Sequence, residues 1–307
     1  MTGLSPSQDS PEPNTLRSVP APACTPGEQY VARMQEAASE IKAQVGDIPK
    51  TLIVLGSGLG TFAEEVKPRV ILPYSAIPHM PVTQTEGHQG NLIVGTLDGN
   101  EVALFQGRVH CHDGLRPKDV AFGVRVMASL GVDTVVITNA AGSINPNYKV
   151  GDVMVLNGIL SLFLPEDPSF GISHPALGPK FYPITQPFDL ELGRRFLAAA
   201  EAQGLRAHQG AYAFVPGPRF ESAVDIRFLS QLFLGTRVID AVGMSTVPEV
   251  LALKQMRGDE VRILGISVIT NVAAGLSESE PNLAEVMSEG ARSSQKLVQA
   301  LRALGKL

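Results

Sequence analysis

Arg108, His110 and His112 alternate along Gln106-Gly-Arg-Val-His-Cys-His-Asp-Gly114. In extended backbone, alternate side chains project to one side, so a guanidinium and two imidazoles share a face. Such a face is costly unless it meets an anion or a metal ion. Two histidines one residue apart suit zinc, but Arg108 beside them repels a cation. The anion is therefore the better reading, with a solvated loop of no special role as the plain alternative. His88, in Glu86-Gly-His-Gln-Gly90, adds an imidazole in a glycine-flanked loop. A second group has different chemistry. Phe220 and Glu221 stand together in Pro216-Gly-Pro-Arg-Phe-Glu-Ser222. They offer an aromatic face on which a flat ligand stacks and a carboxylate that accepts from its ring N–H groups. The plain alternative for Glu221 is a glutamate favoured by the dipole at a helix start.

Three small-residue turns are candidates for holding the anion. Gly56-Ser-Gly-Leu-Gly60 follows the apolar run 51–55, and glycines after a strand let the backbone turn and expose N–H groups. The dinucleotide fingerprint requires glycine or alanine at position 61, where Thr61 stands. A nicotinamide dehydrogenase is thus a poor fit, and Ser57 with its neighbouring N–H groups suits a free phosphate. Asn139-Ala-Ala-Gly-Ser-Ile-Asn-Pro146 is a second such turn, after the strand expected at 134–138. The third is Asp240-Ala-Val-Gly-Met-Ser-Thr-Val-Pro-Glu-Val250. It is read as following a strand at Val238 and Ile239 and preceding a helix over 247–256. Pro248 suits the first turn of that helix. Ser245 or Thr246 is placed to cap it, and an anion at the helix start is the alternative use of Ser245.

These residues need elements to hold them. Val31, Met34, Ala37, Ile41 and Val45 predict a helix over 29–45. Strands at 92–96 and 102–106, joined at Asp98-Gly-Asn100, predict a hairpin. Helices are expected at 117–130 and 190–203, and strands at 134–138, 152–156, 211–215 and 262–270. Leu283, Val286, Met287, Ala291, Leu297, Val298 and Leu301 predict a C-terminal amphipathic helix. Residues 157–187 are rich in Pro and Phe without periodicity, and so long a loop is usually functional. Strands alternate with helices, and the special residues cluster at strand ends. The expected fold is α/β, a single domain with a twisted mixed central β-sheet flanked by helices.

The chain has 307 residues, 44% hydrophobic and 18% charged, as expected of a globular protein with a sizeable core. A net charge of −5 without a basic cluster argues against nucleic acid as a partner. Cys24 and Cys111, the two cysteines, form no C-x-x-C pair, so neither a disulfide framework nor a zinc site is read from them. No run of about 18 apolar residues suggests a membrane span. Residues 1–27, with six prolines at 6, 11, 13, 20, 22 and 26, are expected to be a disordered extension without a secretory signal. The remainder, 28–307, is expected to be one catalytic domain.

Taken in order, Gly56-Ser-Gly-Leu-Gly60, Gly107-Arg-Val-His110, Thr138-Asn-Ala-Ala-Gly142, Gly217-Pro-Arg-Phe-Glu221 and Ala241-Val-Gly-Met-Ser-Thr-Val-Pro-Glu249 resemble the trimeric purine nucleoside phosphorylase family. That family includes methylthioadenosine phosphorylase. Ser267-Val-Ile-Thr-Asn271 adds a sixth motif, and the resemblance covers residues 29–305. It implies a homotrimer that cleaves purine nucleosides with inorganic phosphate as co-substrate, without a metal or organic cofactor; the cysteine usage fits a reducing, cytoplasmic location. It also implies roles. Ser57, Arg108, His110, the Ala140 N–H and Ser245 would hold phosphate, with His88 closing over it. Ala141, Phe220, Val242 and Met244 would surround the purine. Glu221 would accept from N1–H, and Asn271 would bond N7 or O6. Tyr212 and Met244 would face the ribose, joined by Phe181, or Tyr182, from a neighbouring subunit.

Two positions depart from the family pattern. His112 stands where many relatives have a tyrosine at the ribose, and Leu283 where many have a histidine that meets the 5′-hydroxyl. Leucine favours an apolar 5′ group, as in methylthio nucleosides. Asn271, by contrast, matches the 6-oxopurine branch, so inosine and guanosine are the expected substrates. A non-catalytic purine- or phosphate-binding protein is the alternative from another class, motivated by the two changed ribose contacts.

Overall fold

The computed structural model describes residues 24–83, 88–231 and 238–304. Helix α1 (Pro26–Val45) begins three residues before the periodicity predicts. Its start is set by a reciprocal cap: Thr25 Oγ1 accepts from Glu28 N–H at 3.2 Å, and the Glu28 carboxylate accepts from Thr25 N–H at 2.7 Å. The boundary expected at residue 27 therefore falls inside a helix. Residues 1–23 lie outside the described residues.

The remaining elements are, in order, β1 (Thr51–Val54), β2 (Lys67–Pro73), β3 (Asn91–Leu97), β4 (Asn100–Gln106), α2 (Pro117–Val120), α3 (Phe122–Ser129), β5 (Thr134–Ser143), β6 (Val153–Leu160), α4 (Leu190–Ala202), β7 (Ala207–Phe214), α5 (Ala223–Ser230), β8 (Ala241–Gly243), α6 (Val247–Arg257), β9 (Arg262–Val272) and α7 (Leu283–Leu304). The expected α/β fold is present, with a mixed sheet ordered β2-β3-β4-β1-β5-β8-β7-β6-β9. Because β5 also pairs with β9, the last five strands close into a ring and the first four extend from it. Helices cover both faces. Tyr30, Met34 and Ile41 of α1 pack with residues of α3 and α6 on one side. Leu192 and Phe196 of α4 pack with Leu297 and Leu301 of α7 on the other.

Several expected elements change in extent. The hairpin of β3 and β4 forms as predicted, with Asp98 and Gly99 at φ 48° and 82°, the positive-φ pair a two-residue turn requires. Strand β2 was not anticipated. It carries Pro68 and Pro73 on the sheet's outer edge, where a missing N–H is tolerated. The helix expected over 117–130 is two, divided at Ala121. The turn expected from Asn139 is instead the second half of β5, flanked by β8 and β9. The strand expected to begin at Val238 begins three residues later, as β8.

One contact joins the Ser57 loop to the C-terminal helix. Gly58 has φ 76°, and a Cβ there would lie 2.8 Å from Gly290 Cα; a Cβ on Gly290 would lie 2.9 Å from Ser57 O. Helix α7 therefore rests backbone to backbone on this loop.

Candidate active site

A cavity of about 280 Å³ opens at the end of the strand ring. Its wall includes Ser57 beyond β1, Ala140, Ala141 and Gly142 of β5, Phe220 and Glu221 between β7 and α5, and Val242 and Gly243 of β8. Met244 and Ser245 follow, with Thr270 and Asn271 of β9, Leu283 and Val286 of α7, and His110 and His112. Residues more than 200 positions apart in sequence thus meet because their strands end together, the usual place for a ligand in such sheets.

One half of the wall is built of donors. His88 Nδ1 accepts from the Arg108 N–H at 3.1 Å. The neutral ring therefore carries its proton on Nε2, which donates to Ser57 Oγ at 3.2 Å. Ser57 then has its own proton left for the cavity. His110 stacks on His112 with centroids 4.5 Å apart and 10° between planes. Burial first, and then the Arg108 charge, hold His110 well below its ordinary range, so it is a neutral imidazole at pH 7. This half, with Ser245 and the Ala140 backbone, suits an oxyanion.

The same two causes lower His88 to about 4. Its unfolded counterpart, near 6.5, binds more protons between those values, so stability rises with pH across that window. Lowering the pH from 7 to 5 is expected to remove about 2 kcal/mol through His88. Urea melts of wild type and His88→Gln check this. A variant as pH-sensitive as wild type would place the proton elsewhere.

The other half is suited to a flat heterocycle. Gly142 pairs with Val242 on one side and Asn271 on the other. A Cβ at Gly142 would come 3.1 Å from Asn271 Nδ2, so glycine makes room for the amide. Asn271 Nδ2 donates one proton to Val272 O at 3.0 Å, and its Oδ1 accepts from Thr270 Oγ1 at 3.1 Å. The amide orientation is thereby set, and the second Nδ2 proton remains available to a ligand. Glu221 precedes α5 and is not its cap. Ser222 caps that helix, and Asp225 completes the reciprocal pair. Burial, and then Asp225, raise the Glu221 carboxyl.

Four expected site residues are not on the wall. Arg108 is buried below it, whereas His110 and His112 stand together on the wall, so the expected common face is kept by the two imidazoles alone. The Cys111–Asp113 turn begins directly after His110 and ends the extended run before His112, so the pairing of the two rings does not come from alternation. The guanidinium donates to Thr246 Oγ1 at 3.0 Å and to the Thr138 carbonyl, and lies 3.6 Å from Glu249 Oε1. His88 sits behind Ser57. Tyr212 is fully buried behind β8, where its hydroxyl accepts from Ser245 N–H at 3.3 Å. Phe181 is 85% exposed in the connection 161–189, shorter at its start than expected because β6 runs on to Leu160, and the neighbouring Tyr182 donates to Asp167 at 3.0 Å.

Sequence reasoning missed Thr138, Asn139, Thr246 and Glu249 as supports. Each is buried, and each is a polar residue set in a small or apolar run, which is the signal that marks them. Thr246 occupies the cap position of α6 but makes no capping bond. Its φ of 75° and ψ of −46°, with Val247 N–H donating to Ser245 O at 2.8 Å, define a positive-φ γ-turn. For a β-branched residue this conformation costs ~1–3 kcal/mol.

A metal fits less well. His110, His112 and Asp113 each place a ligand atom within 4.8 Å of the others. The stacked rings, however, carry their in-plane lone pairs side by side rather than converging on one point.

The profile of the phosphorylase superfamily matches residues 50–305. Purine nucleoside phosphorylase 1 of Bacillus subtilis is 38% identical over 255 residues, covering 83% of this chain and 91% of its own. The purine nucleoside phosphorylase of Bos taurus is 34% identical over 271 residues, covering 86% of this chain and 91% of its own. The structure of Schistosoma mansoni purine nucleoside phosphorylase in complex with inosine superimposes with a TM-score of 0.81 at 31% identity, over 90% of this chain and 97% of that one.

Proposed function

The chain belongs to the purine nucleoside phosphorylase family of the phosphorylase superfamily, and we propose that it cleaves inosine, guanosine and their 2′-deoxy forms with inorganic phosphate. The products are the free base and (deoxy)ribose 1-phosphate. One observation carries this reading: Glu221 and Asn271 share a cavity with Ser57, His110 and Ser245. The first pair matches the N1–H and N7 edge of a 6-oxopurine, and the second set matches an oxyanion. As the C1′–N9 bond breaks, its electron pair goes to the purine, where the Asn271 amide stabilises the charge at N7. The sugar becomes cationic at C1′, and a phosphate oxygen held on the opposite side forms the new bond there. The protein positions two reactants and places donors where charge develops.

Hypoxanthine release from inosine, followed with and without phosphate, tests the reading. Release is expected only with phosphate; release without it, or none in either case, sinks the proposal. A second reading is favoured by Leu283, which joins Val286 on the cavity wall and gives it an apolar end. A methylthio nucleoside suits that end, and a strong preference for 5′-methylthioadenosine over inosine would establish this alternative.

The proposal includes a homotrimer in which an aromatic such as Phe181 completes a neighbour's ribose site. Leu162, Phe170, Phe181 and Phe228 are each more than half exposed, an apolar surface that a second copy would cover. Light scattering is expected to give the mass of three chains.

A further inference from the structure

Arg108 is the one cation expected to bind phosphate, and the protein holds its guanidinium through both Nη atoms while Nε keeps no partner among the described residues. Its contacts run to Thr246 Oγ1, to two backbone carbonyls and toward Glu249. The Thr246 hydroxyl gives this buried cation a route to the cavity through a second residue. That oxygen accepts from Arg108 Nη1 at 3.0 Å and from Asn139 Nδ2 at 2.9 Å. A hydroxyl has two lone pairs and one proton. Both lone pairs are engaged, so the proton goes to the remaining neighbour, Ser245 Oγ at 3.3 Å. Ser245 then accepts, and its own proton is left for the cavity it lines.

We propose that Thr246 is a positioning residue for phosphate: with Arg108 and Asn139 behind it, it fixes the Ser245 hydroxyl as a donor to the anion. This rests on the phosphate site proposed above. The γ-turn is the device that makes the relay. A cap geometry would direct Oγ1 to the helix N–H groups. Here Thr246 makes no such bond, and its hydroxyl faces Arg108, Asn139 and Ser245 instead. The arrangement parallels that on the other side of the anion, where the Arg108 N–H fixes His88 and His88 fixes Ser57. One residue thus orients both serines, one through its backbone and the other through its side chain.

The test is calorimetric titration of the whole chain with inorganic phosphate alone, which reads the site whatever nucleoside is turned over. Thr246→Val keeps the shape and removes the hydroxyl. It is expected to weaken phosphate about tenfold, the cost of misdirecting one hydrogen bond to a charged group. Thr246→Ser is expected to stay within about twofold of wild type. In a Ser245→Ala background, adding Thr246→Val is expected to cost nothing more, because the relay has lost its end. Unchanged affinity in Thr246→Val overturns the proposal, as do equal losses in the Val and Ser variants or additive losses in the double variant. A wild type that binds phosphate with this pattern but releases no base overturns the functional reading and supports this one.

Discussion

Replacing Asn271 by alanine is expected to lower kcat for inosine by about 10²- to 10³-fold while changing the affinity for phosphate little. The effect is large because the amide acts mainly when N7 becomes negative, so it stabilises the transition state more than the bound substrate. It also depends on the amide's orientation. Val272 O takes one Nδ2 proton and Thr270 Oγ1 occupies Oδ1, leaving one donor for the cavity that Asn271 lines. Asn271→Asp removes that fixed donor and supplies an acceptor, so inosine turnover is not expected to recover. Steady-state rates at saturating phosphate decide the matter. A loss below tenfold, or one confined to KM, would remove Asn271 from the chemistry.

Glu221 should show a comparably large effect with a different signature. Glu221→Ala is expected to reduce kcat/KM for inosine by about 10²- to 10³-fold, because the base N1–H then enters a desolvated site without an acceptor. Glu221→Gln retains an acceptor oxygen and gains an N–H donor. It is therefore expected to lose less on inosine than alanine does, and to improve adenosine, whose N1 accepts, relative to inosine. The carboxyl is raised by burial and by Asp225, and only its ionised form serves a ring N–H as an unambiguous acceptor. Turnover of inosine is thus expected to fall as acid protonates it, and the Gln variant should lose that part of the acid limb. A Gln variant with the base preference and pH profile of wild type would place Glu221 outside base recognition.

Much of this site was legible in the chain because strand ends announce themselves. Ser57, Ala140, Glu221, Ser245 and Asn271 each follow or end an apolar run beside small residues, and all five line one cavity. Less legible was everything that depends on how the backbone turns. Alternation placed Arg108 with His110 and His112, but its guanidinium is held by Thr246, Thr138 and Val54, partners that no local pattern names. Thr246 read as a cap because threonine before a helix usually is one. Its strained conformation is imposed by Arg108 and Asn139, both more than 100 residues away in sequence. Strand β2 was hidden by its prolines, which an edge strand accommodates and a central one does not. The closure of five strands into a ring depends on β5 pairing with β9, a contact that no local pattern encodes.

The Gly58–Gly290 contact bears on how such a protein can change. The loop it pins carries Ser57 and the helix it pins begins at Leu283, and both residues line the cavity. Neither glycine can gain a methyl group unless the helix lifts off the loop. Lifting it would move both ends of the cavity at once. In the proposed site, a new 5′ group is therefore expected to be met by exchanging side chains at positions such as 283 and 286, because repositioning the helix would disturb the Ser57 loop as well. Leucine at 283 is compatible with that limit: it gives the cavity an apolar surface and leaves the helix seated.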